Sequence, residues 1–278
     1  MRILDSHQHY WDISRKDYGW LTPETGRLYT NYLPEHLKPL REKFNIQCTI
    51  VVQAAPSLEE TNFLLELAEK EKSIAGVVGW LDLESDEFLD CFQFYRKHTK
   101  FIGIRPMIQD LPSDWLLKEK VMEHLRIVAE EEFPIDLQAN PRHLPSILYL
   151  LEQLPSLRGV IDHIAKPPMK KGLWEPWKGL MERIASYPNI MCKISGLVPE
   201  RTDAPWSRDT IKPYVDHIIS IFGTERIMFG SDWPVCLYSA SFEEVFQLFH
   251  SFLKASWSKK ARENVFFHNA ARFYKLSI

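Results

Sequence analysis

The chain has 278 residues, of which 45% are hydrophobic and 26% charged, with a net charge of −3. That length can bury a large core as one domain over residues 1–278, and the absence of any long single-sign run removes the electrostatic reason to expect nucleic acid or an anionic membrane as partner. The opening MRILDSHQHYWD has neither the basic nor the apolar region of a signal peptide, and no apolar run nears the ~18 residues that span a bilayer, so the expected location is the cytoplasm.

The first predicted strand is ILDSHQH (3–9), and it carries two histidines two residues apart. Alternate residues of a strand face the same way, so His7 and His9 are expected to converge on one spot. Seven more runs rich in β-branched and apolar residues follow: 48–53, 74–83, 101–106, 134–140, 158–164, 189–196 and 226–233. Between them, segments 57–72, 84–99, 115–132, 141–154, 175–188 and 208–223 keep apolar residues near i, i+3, i+4 and i+7, as a helix lying on a sheet should. The segment at 57–72 opens with a Ser57/Glu60 capping box. Segments 241–256 and 259–276 supply two further helices. Strands apolar on both faces that alternate with helices imply a parallel sheet, and eight such units close most simply into a (β/α)₈ TIM barrel with extra C-terminal helices. An open doubly wound sheet would give the same string. The four cysteines are scattered with no CxxC pair, which suits reduced, packed thiols.

In such a barrel the chemistry sits at the C-terminal ends of the strands. Here the predicted strands lose their apolar character at that end in turn: His7 and His9, Gln53, Trp80 and Asp82, Arg105, Gln138 and Asn140, His163, Lys193 and Ser195, and Asp232. Each residue alone has a structural reading, for His163 a hydrogen-bonded core histidine and for Asp232 a helix cap. Lys193 is harder to dismiss, because a lysine on a strand buried on both faces needs a counter-charge or a water-filled site. Several of the nine tryptophans lie in loop-like stretches, where a large aromatic must be covered by other loops or by a ligand.

The motifs HQHYWD, GIRP, DHIAKP, CKISGL and MFGSDWP, in this order at successive strand ends, resemble the amidohydrolase superfamily and within it the amidohydrolase-2 branch of sugar-lactone hydrolases. The resemblance covers essentially the whole chain. It implies a hydrolase that opens a small lactone, with Asp232 as general base and then proton donor to the leaving oxygen, and with His163, Arg105 and Lys193 in the catalytic set. His7, His9, His163 and Asp232 become the candidate ligands of one divalent cation, zinc or manganese, although the branch also admits metal-independent members. The lysine or glutamate and the histidine that two-metal members carry after strands four and five are replaced here by Arg105 and by Gln138 or Asn140, so no second metal is expected. Trp11, Gln53, Trp80, Gln138, Trp206 and Trp233 are the candidate substrate contacts, and the loops at 11–32, 168–178 and 198–208 would set specificity. The expected partner is the lactone itself, with room for a homo-oligomer. A metal-dependent decarboxylase of an aromatic or unsaturated acid on the same barrel is the alternative, and a non-catalytic carbohydrate-binding barrel is a third reading.

Overall fold

The computed structural model describes residues 1–169, 174–199 and 206–278. Eight short strands, β1 (Ile3–Gln8), β2 (Ile46–Val52), β3 (Ile74–Gly79), β4 (Phe101–Ile104), β5 (Ile135–Leu137), β6 (Gly159–Ile161), β7 (Ile190–Ile194) and β8 (Ile227–Phe229), pair in parallel in chain order. The last strand returns to the first: Gln8 bridges Trp233, the His9 amide donates to the Trp233 carbonyl at 2.7 Å, and the Asp232 amide donates to the His7 carbonyl at 2.8 Å. The sheet is therefore a barrel and the open doubly wound alternative is set aside. The strands are shorter than the apolar runs suggest, so Arg105, Gln138, His163 and Asp232 stand just beyond strand ends, at the C-terminal mouth.

Among the described residues eight main helices surround the barrel: α1 (Pro34–Lys43), α2 (Leu58–Lys70), α3 (Phe88–Tyr95), α4 (Glu119–Glu130), α5 (Leu144–Gln153), α6 (Trp177–Ala185), α7 (Arg208–Phe222) and α8 (Phe242–Ser251). α1 is missing from the sequence expectation. Its segment PEHLKPLREK holds an internal proline and buries only Pro34 and Leu37, too narrow a stripe to register as amphipathic. Ser57 caps α2 by accepting the Glu60 amide at 3.1 Å, yet the Glu60 carboxylate does not turn back to the Ser57 amide, which donates to Ala55 O instead. Half of the expected capping box is thus present. All four cysteines are free, with Cys192 and Cys236 buried. No helix among the described residues is long and apolar enough to cross a membrane.

The C-terminal segment closes the opposite end of the barrel. It runs as α9 (Lys259–Glu263), a π-helical turn (Asn264–His268) and α10 (Asn269–Phe273), rather than as one regular helix. The wide turn places Phe267, Ala270, Phe273 and Tyr274 against Leu4, Ile50, Val52, Val78, Ile102, Val160, Met191 and Met228, the side chains that fill the barrel. Asn269 fixes this plug, since its fully buried amide donates to Thr224 O at 2.8 Å and Ile227 O at 2.7 Å. Removing it strands two carbonyls, each able to cost about 1–3 kcal/mol when left unpaired. Asn269→Ala is therefore expected to lower the urea midpoint at unchanged slope; an unaltered midpoint would show that the plug is held elsewhere.

Candidate active site

The site begins with an irregularity in β1. From Asp5 to Gln8 the strand advances three residues while its partner β2 advances two, Thr49 to Val51. A bulge of this kind re-aims side chains, and here it turns His7 into the barrel beside His9, with ring centroids 4.9 Å apart. His163 joins them, its ring 4.5 Å from that of His7. The three Nε2 atoms face one carboxylate oxygen, Asp232 Oδ1, at 3.8 Å from His7, 3.4 Å from His9 and 3.9 Å from His163. Asp5, fully buried, holds the Asp232 turn by accepting the amides of Ser231 at 2.9 Å and His7 at 3.2 Å. Burial pushes its pKa up to about 6.

Hydrogen bonds at the far sides of the rings determine what they offer. His9 Nδ1 lies 2.8 Å from the Val52 carbonyl, which can only accept, so Nδ1 carries a proton and Nε2 is the nitrogen turned to Asp232, 3.4 Å from Oδ1. The Nε2 of His7 is buried with no hydrogen-bond partner among the described residues. Burial, then Lys193, lowers the His7 pKa well below its ordinary value, and burial, then His7, does the same for His163. His7, His9 and Asp232, whose ligand atoms all lie within 4.8 Å of one another, suit three of the four positions around one divalent ion with bonds of about 2.1 Å, with His163 beside them. The residues fit such a cation.

Beneath the histidines lies a buried charge network. The Lys193 ammonium is fully enclosed, pairs with Asp136, and lies 3.2 Å from Asp162 Oδ1 and 3.1 Å from His7 Nδ1. Tyr274 donates to the other Asp136 oxygen at 2.7 Å. Burial pushes Asp136 up to about 6 against the pull of Lys193. For Asp162 burial acts the same way but is outweighed by Lys193, His163 and Arg105, which hold it below its usual range. Lys193 therefore meets counter-charges rather than solvent, and it stands behind His7 instead of at the cleft with the other expected catalytic groups.

The cleft above has a volume of about 90 Å³ and takes in His9, Arg105, Gln138, His163 and Asp232 together with Trp20, Ala54, Met107, Gln109, Asp110, Lys166 and Val235. Arg105 lines it, its Nε buried and its Nη1 3.8 Å from Asp162 Oδ2, and among the described residues neither that Nε nor Gln138 Oε1 has a hydrogen-bond partner. Of the other expected substrate contacts, Gln53 is one layer back, its side-chain amide donating to the Arg105 carbonyl at 2.8 Å and its backbone carbonyl accepting from the Arg105 guanidinium. Trp11 is fully buried and donates to Thr30 O. Trp233 packs on Tyr10 and Tyr32. Trp206 donates to Ser239 O, and Trp80 is clasped at its backbone by Thr61. None of these five is among the described residues lining the cleft. Asp82 is exposed and caps the Glu84 amide, while Asn140 holds the Gln109 carbonyl. Residues 170–173 and 200–205, within two of the three expected specificity loops, lie outside the described residues.

The reading of strand ends overlooked Trp20, Gln109 and Lys166. Lys166 was in view inside DHIAKP, and its Nζ donates to Gln109 Oε1 at 2.7 Å; Trp20 gives no sequence signal beyond being a tryptophan in a long loop. Glu60, also overlooked, is fully buried behind Trp20. It accepts the Tyr18 hydroxyl at 2.6 Å and the Ala54 amide at 3.0 Å, and burial pushes its pKa up to about 7.

Backbone strain concentrates at the same place. His163, Ile164, Ala165 and Lys166 all have positive φ, between 44° and 59°, and so does Asp232 at 57°. Left-handed conformations cost L-residues of order 1–3 kcal/mol and persist where the surroundings dictate them. His163 is held by Ser195 Oγ, 2.9 Å from its Nδ1, and by Gly196, where a Cβ would come within 2.5 Å of that nitrogen. Gly230 gives the same clearance to His7, at 2.7 Å from its Cβ.

Parallel strands ending in three imidazoles and a carboxylate define a hydrolase-type (β/α)₈ barrel. The chain belongs to the amidohydrolase family, which matches residues 4–276. It is 35% identical over 283 residues to an L-fucono-1,5-lactonase of Burkholderia ambifaria, covering 98% of this chain and 95% of that one, and 34% identical to an L-fucono-1,5-lactonase of Burkholderia multivorans, covering 98% and 96%. A crystal structure of a Burkholderia multivorans amidohydrolase with bound zinc superposes with a TM-score of 0.92 at 32% identity, over 99% of this chain and 100% of that one.

Gly196→Ala is expected to displace the His163 ring and lower turnover by an order of magnitude or more, while far-UV circular dichroism stays unchanged. A second outcome concerns stability. Because the folded Glu60 pKa is raised from 4.5 to about 7, its contribution is present below pH 4.5 and is lost as pH rises through 7. Urea unfolding of the wild type should lose up to about 3 kcal/mol relative to Glu60→Gln across that window; a constant difference between the two would contradict the shift.

Proposed function

We propose that the chain hydrolyses the ester bond of a small sugar-acid lactone, with Asp232 as general base. The observation that carries the reading is the approach of three imidazole Nε2 atoms to Asp232 Oδ1 at 3.4–3.9 Å on the floor of the cleft. The two relatives named L-fucono-1,5-lactonase, at 34–35% identity over nearly the full length, support the substrate class.

Hydrolysis needs a deprotonated water, a stabilised oxyanion and a proton for the departing ring oxygen. In the proposed cycle the water oxygen attacks the lactone carbonyl carbon while Asp232 takes the water's proton on its carboxylate. The carbonyl oxygen, gaining charge, meets the positive charge of the Arg105 guanidinium, with His163 beside it. Collapse breaks the ring C–O bond, and Asp232 returns its proton to the alkoxide, leaving an open hydroxy acid that ionises at neutral pH. Gln138 Oε1 accepts from a substrate hydroxyl, and Trp20 lies against the ring. Lys193 holds His7 in place from behind. His7, His9 and Asp232, with His163 beside them, would hold one divalent cation, zinc or manganese, which when bound supplies Lewis-acid polarisation at the carbonyl.

A pH-indicator assay across aldonolactones, L-fucono-1,5-lactone included, reads the released acid before and after chelation, with metal counted alongside. Turnover of at least one aldonolactone is expected, and Asp232→Asn should reduce it by about 10²- to 10⁴-fold. Carbon dioxide release from a dihydroxybenzoate with every lactone untouched would overturn the reading in favour of a decarboxylase. Near-full lactonase activity in the folded Asp232→Asn protein would remove Asp232 from its role.

A further inference from the structure

We propose that Glu60 is a positioning residue for substrate binding, fixing Trp20 as the aromatic wall of the cleft through Tyr18 and Ala54. The inference rests on the lactonase reading only for its choice of substrate. An acidic residue at the third position of a helix normally turns back to the helix start. Here that start needs nothing more, because the Ser57 amide already donates to Ala55 O at 3.0 Å. The Glu60 carboxylate is sent outward instead, into a fully buried position where an ionised group is costly unless well partnered.

Arg15 Nε lies 3.8 Å from one carboxylate oxygen, and both hydrogen-bond partners lead to Trp20. One oxygen accepts the hydroxyl of Tyr18, two residues before Trp20 in the loop after β1; the other accepts the amide of Ala54, just after β2. The carbonyl of that same Ala54 accepts the Trp20 indole N–H at 2.8 Å. One carboxylate thus ties the loop bearing the indole to the backbone that receives it. A parallel tie runs from Ser57 Oγ to Asp17 at 2.9 Å, and Arg15 joins Asp17 at 2.6 Å with its guanidinium over Phe63 of α2. Behind the cleft Trp20 meets Trp11 edge to face, centroids 5.3 Å apart. Its remaining surface faces His9, Arg105 and Asp232 across the cleft. None of these ties reaches the reacting groups, so Glu60 acts on how the ring is held and leaves the chemical step alone.

The test uses Glu60→Ala, Glu60→Gln and Trp20→Ala in the full chain. With L-fucono-1,5-lactone as substrate, Glu60→Ala should raise KM about threefold to tenfold, the share one aromatic contact carries, with kcat within about twofold. Glu60→Gln, which can still serve Ala54 with its carbonyl oxygen, should recover most of the loss. In a Trp20→Ala background Glu60→Ala should add nothing to KM. A fall in kcat with KM unchanged, or the full KM effect persisting without Trp20, overturns the proposal. A second readout needs no turnover: in 5-fluorotryptophan-labelled protein the ¹⁹F resonance lost in Trp20→Phe should shift or broaden in Glu60→Ala while the other resonances stay in place. A Trp20 resonance that does not move overturns the positioning role, whereas a wild type inert toward every lactone with that resonance responding would reject only the lactonase reading. Tyr18→Phe removes the same hydrogen bond and takes the place of Glu60→Ala if that variant does not fold, with the same outcomes.

Discussion

A cation with no access to water governs this barrel. Lys193 projects from β7 into the interior, and the energy of burying its ammonium is tolerable only with carboxylates in contact. Two other strands provide them, Asp136 from β5 and Asp162 just after β6. Once these three charges are placed, His7 has its position too, because its Nδ1 lies against both Lys193 and Asp162. The upper half of the site inherits this order: His7 faces Asp232, Asp232 faces His9 and His163, and the cleft opens above them. His7 is thereby oriented by a charge network drawn from three strands and the C-terminal tail.

Preorganisation of this kind has a backbone counterpart. The left-handed run His163–Lys166 and the left-handed Asp232 place the two residues nearest the reacting position in conformations that an L-chain avoids. Small residues permit it: Gly196 admits the His163 ring and Gly230 lets β8 approach His7. A larger residue at either position would clear the strain by moving the very groups the strain positions.

The architecture was legible because its signals are periodic. Alternating buried strands and amphipathic helices produced eight strands and most helices in the right order, and the loss of apolar character at one end of each run located His7, His9, Arg105, Gln138, His163 and Asp232 at one mouth. What escaped the sequence depends on contacts between distant segments. α1 was hidden by Pro39 and a narrow apolar face. Trp11, Trp206 and Trp233 attracted attention as loop aromatics and Trp80 as a strand-end residue, yet none of the four is among the described residues lining the cleft; Trp20, of the same residue type, lines it. Only the path of the loop separates them, and that path is set by Tyr18 and Glu60. Lys193 offered two readings, counter-charge or solvent, and the partner that decides between them, Asp136, sits inside PIDLQAN with nothing to mark it.

The hydroxyl of Tyr274 on Asp136 carries a consequence for the order in which the molecule comes into being. The catalytic floor joins β1, at residues 7 and 9, to the turn after β8, at 232, and its electrostatic foundation is finished by a side chain at 274. A ribosome extending this chain makes His7 and His9 before β2 to β8, and so before Asp232 and Tyr274. A chain that stops short of residue 232 lacks the carboxylate that the histidines face, and one that stops short of 274 lacks the hydroxyl on Asp136.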